Sequence, residues 1–357
     1  MLVRCRLLVI FALFVGGASA CLQYSTDSRG NLKSVGIPGV PVWPAKQDTK
    51  RAQLESNVAG SAQWLTRLNT WRVSVGTVPV GENTELSYGC VQHSRYLVQG
   101  GPQHDFEFAQ YAAGLGGAAH EEDPRSPLYT REGRYAAIGG HLSDEVLQAG
   151  DVAWASQSEQ EDIDKLLVAP FHRLSLLAPW AKVAGYGSFG TFPRSAATVA
   201  LRGPSKDAGV GQIQFPAAGS TVPIISMTQP EWPSPLASCP GYQLPIGLPI
   251  TMQLGTDLST GLTSYFLEDQ TENRRLESCA FDAVTYNNPS LETQQHGREG
   301  LKGFGAIVMI PRYPLQPGHT YRVSISAVAQ NFEWTFSTTR GAQPQKGAQI
   351  SGPLAPQ

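Results

Sequence analysis

Pro170-Phe171-His172-Arg173-Leu174, followed by Gly185-Tyr186-Gly187-Ser188-Phe189, decides how the first half of this chain is read. Pro170 marks a helix start, His172 stands in its first turn, and a glycine-spaced strand comes next. A second histidine, His120, lies upstream in Ala119-His120-Glu121-Glu122-Asp123, and Glu132 follows in Tyr129-Thr130-Arg131-Glu132-Gly133. Histidines and carboxylates on separate elements meet only by folding. When they do, they form a polar cavity able to hold a metal ion or a polar ligand.

The elements around that stretch are mixed. Leu54, Val58, Ala62, Leu65, Leu68 and Trp71 give helical spacing over Ala52 to Val75. Leu86, Cys90, His93 and Leu97 do the same for a helix from Asn83 to Leu97. Gly-rich sequence over 100–119, and loop chemistry to Gly140, follow. Ser143-Asp144-Glu145 reads as the cap of a helix reaching Trp154. Helices over Glu159–Val168 and His172–Leu177 precede two strands, Val183–Phe189 and Ala196–Leu201. Residues 52–203 therefore form a layered α/β domain.

Beyond a Gly/Pro/Ser-rich linker at 204–221 the apolar period becomes two. Ile250-Thr251-Met252-Gln253-Leu254, Tyr321-Arg322-Val323-Ser324-Ile325 and Phe332-Glu333-Trp334-Thr335-Phe336 all alternate. Short strands between Pro/Gly turns predict a β-sandwich over 222–340, with residues 341–357 as a disordered tail. Leu315-Gln316-Pro317-Gly318-His319-Thr320-Tyr321 resembles the tyrosine corner of immunoglobulin-like and fibronectin-type sandwiches. The fold class expected for the whole chain is α+β.

Two domains suit 357 residues, and a formal net charge of -2 with no basic run leaves no footprint for nucleic acid. Low charge (16%) with 37 Gly and 26 Pro fits a secreted, loop-rich protein. Residues 1–20 read as a signal peptide, with Arg4 and Arg6 ahead of the apolar run Leu7–Val15 and then Ala18-Ser19-Ala20. Cys21 follows at once, which resembles a bacterial lipoprotein cleavage site; acylation there would attach the chain to a membrane through the 21–51 tether. The competing reading is ordinary cleavage, with Cys21 free or bonded to Cys90. Cys239 and Cys279 are the expected disulfide in an oxidising compartment, and Cys90 reads as a buried small hydrophobe.

In order and spacing, several pieces resemble a bacterial member of the CAP superfamily (cysteine-rich secretory protein, antigen 5, pathogenesis-related). They are Leu68-Asn69-Thr70-Trp71-Arg72, Cys90-Val91-Gln92-His93-Ser94-Arg95-Tyr96, Ala119-His120-Glu121-Glu122, Tyr129-Thr130-Arg131-Glu132-Gly133, Pro170-Phe171-His172-Arg173 and Gly185-Tyr186-Gly187. An Ig-like module also follows CAP domains in bacteria. The resemblance implies an α-β-α sandwich with a cleft lined by two histidines and one or two acids. His120 and His172 take the histidine positions and Glu132 the glutamate, and Glu122, Glu159 and Asp162 compete for the second acid. Some family members bind divalent metals in this cleft, which would make His120 and His172 ligands for Zn, and some bind lipids nearby. No single catalytic activity holds across the family.

His93 shares its helix face with apolar residues. It reads as a core histidine hydrogen-bonded to the loop carrying His120, with a cleft role as the alternative. Arg173 is expected to brace His172 through a buried carboxylate, while His104, His141, His296 and His319 read as surface residues. Ser188 lacks the leading glycine of a nucleophile elbow, His120-Glu121-Glu122 lacks the second histidine of a zincin, and Cys90 is too apolar in setting to be a thiolate. The leading expectation is an extracytoplasmic protein, secreted or lipid-anchored, that binds an envelope or extracellular ligand in a His/Glu cleft. The alternatives are a metal-dependent hydrolase of peptide or cell-wall material, with Glu132 activating water, and a structural envelope protein with an inert cleft.

Overall fold

A computed structural model describes residues 23–26, 32–36, 63–142, 145–148, 150–204, 212–255 and 258–343. The signal segment, Cys21, most of the tether, the start of the first predicted helix, Ser143-Asp144, linker residues 205–211 and the tail from 344 lie outside the described residues. The fold is mixed α+β with several sheets. Gln23–Thr26 and Leu32–Gly36 pair as antiparallel strands.

The first helices follow the sequence pattern. Helix Gln63–Ser74 buries Trp64, Leu68, Trp71 and Arg72. Helix Thr84–Gly100 is capped by Asn83, whose side chain accepts from the Leu86 N–H at 2.8 Å. Ser158 caps Glu159–Val168 in the same way, with Glu159, Glu161 and Asp162 in its first turn, where acids favour the helix dipole. Helix Pro170–Leu176 starts on its proline.

Strand Arg194–Pro204 is the spine of a six-stranded sheet. It runs antiparallel to Val183–Thr191 on one side, and to Glu145–Leu147 and Asp151–Trp154 on the other. Val199 and Leu201 pack with Trp64, Leu68, Ile163 and Leu167, whereas Ala200 packs with Leu86, Cys90 and Tyr135. Alternate residues of one strand thus meet helices on opposite faces. Gly187 is required on that strand, because a Cβ there would collide with the Val91 backbone of helix Thr84–Gly100.

Three stretches depart from the sequence reading. The helix expected from Ser143 to Trp154 is absent: Gly140–Leu142, Glu145–Leu147 and Asp151–Trp154 are strands. Its apolar residues form short runs split by Gly150, and pairing to Arg194–Pro204 overrides a local capping signal. Conversely, the expected loop over 100–140 holds helices Asp105–Leu115 and Arg131–Ile138, joined by the 3-10 turn Gly116–His120. Abundant glycine hid them, although Thr130 caps the second helix through the Gly133 N–H at 3.0 Å.

The second module has a five-stranded sheet (Thr221–Ile224, Gln330–Gln343, Thr320–Ala327, Ser264–Asp269, Arg274–Leu276) and a four-stranded one (Ser278–Asp282, Ala306–Pro311, Ile250–Gln253, Ile213–Phe215). Ile213–Phe215, read from sequence as linker, is an edge strand, and Gln330–Gln343 runs into the expected tail. Helix Leu291–Gly303 is an addition that the alternation did not announce. The Tyr321 hydroxyl accepts from the Gln316 N–H at 2.7 Å and donates to the Gln316 carbonyl at 3.2 Å. The Cys239–Cys279 disulfide is formed, and Cys90 is a buried free thiol whose pKa burial raises.

The two modules share one apolar core. Trp71 meets Phe215 edge-on at 5.9 Å, and Phe171 packs on Phe281 (6.4 Å) and Tyr286 (5.3 Å). Arg173 is buried, and among the described residues no carboxylate hydrogen-bonds to it, although the Glu231 charge acts on it. Its guanidinium donates to the carbonyls of Leu167, Val168 and Pro249 and lies 4.0 Å from the Phe215 ring centre. Burial lowers its pKa to about 9. Hydrogen bonds to carbonyls satisfy its donors at less desolvation cost than a second buried charge would carry.

Candidate functional site

The structure brings His120 and His172 into one region, at the junction of the two modules. His120 ends the 3-10 turn and is partly buried, with Nδ1 2.9 Å from the Gly150 carbonyl. A carbonyl only accepts, so Nδ1 carries the proton and Nε2 keeps its lone pair. Burial pushes His120 down to about 3, helped by the nearby charges of His172 and His93. It is therefore neutral at physiological pH.

His172, in the first turn of Pro170–Leu176, is held from the second module. Glu231 Oε1 accepts from the His172 backbone N–H at 2.8 Å and from Nδ1 at 2.7 Å. Burial opposes the charged imidazole, yet the bond to Glu231 and the charges of Glu231 and Asp151 outweigh it, so the His172 pKa is raised. Asp151, on strand Asp151–Trp154, accepts from the Ser175 hydroxyl. Burial pushes Asp151 up to about 7, against the His172 charge and the Ser175 bond and with the Glu231 charge.

The acids that act on His172 are thus Glu231 and Asp151, and neither was expected. Asp151 lay in a segment read as helix. Glu231 lies in Gln229-Pro230-Glu231-Trp232-Pro233, a carboxylate and an indole between prolines, and that was the signal available in the sequence. Trp232 sits 5.9 Å from the His120 ring and 4.7 Å from His296, so His296 is not the isolated surface residue the sequence suggested. His319 likewise has a partner, with its Nδ1 2.8 Å from Asp269. His104 is exposed, and the His141 side chain lies outside the described set.

Glu132 stands in the first turn of Arg131–Ile138, half-buried, and among the described residues it is not a hydrogen-bond partner of either histidine. The remaining candidate acids have other tasks. Glu159 accepts from the Trp64 N–H at 3.1 Å, and Asp162 accepts from the Tyr186 hydroxyl at 2.8 Å. Glu122 is buried and meets His93 Nδ1 at 3.1 Å while accepting from the Thr130 N–H at 3.0 Å. Gly133 is needed for this, since a Cβ there would strike the Glu122 carboxylate. His93 Nε2 donates to the Ala119 carbonyl at 2.8 Å, next to His120. His93 and Glu122 therefore brace the turn that carries His120 from beneath.

Two imidazoles with Nδ1 committed and Nε2 left over suit a borderline-soft divalent cation, the donor arrangement seen behind ligating histidines. Among the described residues, no three His, Cys, Asp or Glu side chains converge on a common point. A structural zinc site uses four protein ligands and a catalytic one three. A two-histidine set leaves most coordination positions to solvent or ligand. No family model and no curated protein matches this chain.

Proposed function

We propose that this chain is an extracytoplasmic binding protein whose junctional cleft takes a divalent cation, or a polar ligand in its place, on the Nε2 atoms of His120 and His172. One observation carries the reading: each histidine spends Nδ1 on a protein acceptor, so Nε2 is the nitrogen left to a ligand, directly on neutral His120 and on His172 once a cation displaces its proton. Zn is a cation that imidazole ligands suit, and held by two residues it would be exchangeable.

A CAP-like identity for residues 52–203 is supported by helices on both faces of the sheet and by the convergence of His120 with His172. The Tyr321 contact supports an Ig-like second module. The Cys239–Cys279 disulfide supports an oxidising compartment, and among the described residues no helix is long and apolar enough to cross a membrane. Attachment would then rest on acylated Cys21.

Titration calorimetry with Zn²⁺ on the full chain tests the cleft. Binding that is lost in both His120→Ala and His172→Ala supports it. Binding that survives both substitutions, or is absent from the unsubstituted protein together with every envelope ligand tried, refutes it. Turnover of peptide or cell-wall material by the zinc-loaded protein, abolished by His172→Ala, would favour the hydrolase instead. The mass of the mature N-terminus decides the anchor, because an unmodified Cys21 removes it.

A further inference from the structure

Both site histidines are touched by one short segment of the second module. Glu231 grips His172 at two atoms, the backbone N–H and Nδ1. The next residue, Trp232, packs against His120 with the ring centres 5.9 Å apart. The turn carrying His120 is shaped to receive that indole: a Cβ on Gly117 would sit 2.9 Å from it, and one on Gly116 3.2 Å. Prolines 230 and 233 flank the pair and restrict its backbone. The Glu231 side chain has no exposed surface, and its Oε2 finds no hydrogen-bond partner among the described residues. A buried carboxylate oxygen without a donor is costly, and such atoms mark places where a water, ion or ligand group belongs.

Helix Pro170–Leu176 is tied to the same module on either side of His172, through Phe171 on Phe281 and Tyr286 and through Arg173 on Pro249. The second module therefore contacts both histidine-bearing segments directly. This arrangement differs from a cleft complete within the first module with a β-sandwich hung behind it as spacer.

We propose that Glu231 and Trp232 complete and gate the cleft, Glu231 as the positioning residue of His172 and Trp232 as the cover of His120. The inference rests on the cleft reading given above and adds that the second module regulates access to it. A ligand reaching Nε2 of both imidazoles must be small enough to enter beside the indole, which favours a bare or partly hydrated cation over a peptide or acyl chain. Glu231 Oε2 is where a donor group of such a ligand, or a water bound to the cation, would be received.

The test uses carbethoxylation of histidines by diethylpyrocarbonate in the full chain, followed residue by residue by peptide mass mapping. It needs no ligand. Exposed His104 reports reagent activity, and fully buried His93 reports that the fold is intact. In the unsubstituted protein His120 and His172 should react slowly. Trp232→Ala should accelerate His120, and Glu231→Ala should accelerate His172, by about tenfold or more, the scale of one lost hydrogen bond. Glu231→Gln, which still offers an oxygen to the His172 N–H groups, should restore protection. Fast modification of both histidines in the unsubstituted protein, or equal rates in the variants, overturns the proposal.

If Trp232→Ala also exposes His93, the decision passes to Trp232→Phe and to the Glu231→Ala and Glu231→Gln pair. Adding Zn²⁺ to the opened Trp232→Ala protein separates the two ideas. Zn²⁺ that protects His120 and His172 supports the cleft, whereas unlocking without Zn²⁺ protection leaves the gate standing and removes the cation.

Discussion

Replacing Glu122 by alanine should be among the most damaging single changes in the first module, and its cost can be worked from the contacts. The side chain accepts from His93 Nδ1 at 3.1 Å and from the Thr130 N–H at 3.0 Å, with both His93 and Glu122 excluded from water. Alanine strands two buried polar groups, at about 1–3 kcal/mol each. The sum is about 2–6 kcal/mol. At a urea slope of about 2–3 kcal/mol/M this moves the unfolding midpoint down by about 1–3 M, as followed by tryptophan fluorescence. Glu122→Gln keeps an oxygen for Thr130 and an amide for the imidazole, so its cost should stay near about 1 kcal/mol. Because His93 holds the Ala119 carbonyl beside His120, Glu122→Ala should weaken Zn²⁺ binding as well, and Glu122→Gln much less. An alanine variant within about 1 kcal/mol of the unsubstituted protein, or one indistinguishable from glutamine, would refute the bracing role.

Burial raises the Asp162 carboxyl to about 6 against its bonds to Ser156 and Tyr186 and the charge of Lys165. The folded state therefore holds a proton that the unfolded chain releases near pH 4, and this contribution to stability is lost as pH rises from about 4 to 6. Asp162→Asn should accordingly gain stability relative to the unsubstituted protein across that window, read as a widening Tm difference; a constant difference would sink the assignment. Gly187→Ala should cost about 3 kcal/mol or more through overpacking against the Val91 backbone, seen in soluble yield and urea midpoint. Cys239 and Cys279 are 40 residues apart, so replacing both by serine should cost about 4 kcal/mol of loop-closure entropy, measured in the same urea assay.

What the chain's local patterns reveal reliably is whatever neighbouring residues decide among themselves. The apolar spacing announces helix Thr84–Gly100, a helical stretch was read at Glu159–Val168, and the alternation at Tyr321–Ile325 announces a strand. Even the His93 contact was legible, because a histidine on an apolar stripe needs a buried acceptor. The stretch Glu145–Trp154 was misread because its state is set by pairing with Arg194–Pro204, tens of residues later.

The site obeys the same division. Their motif setting and the resemblance to the CAP pattern nominated His120 and His172, since imidazoles near carboxylates carry chemistry wherever they meet. Which acid they meet was a matter for tertiary structure: Glu231 reaches His172 across 59 residues and a module boundary, and Asp151 arrives on a strand no helical pattern foresaw. Periodicity records contacts between near neighbours along the chain. An ion pair across two modules depends on how their surfaces dock, and that follows from the apolar core they share.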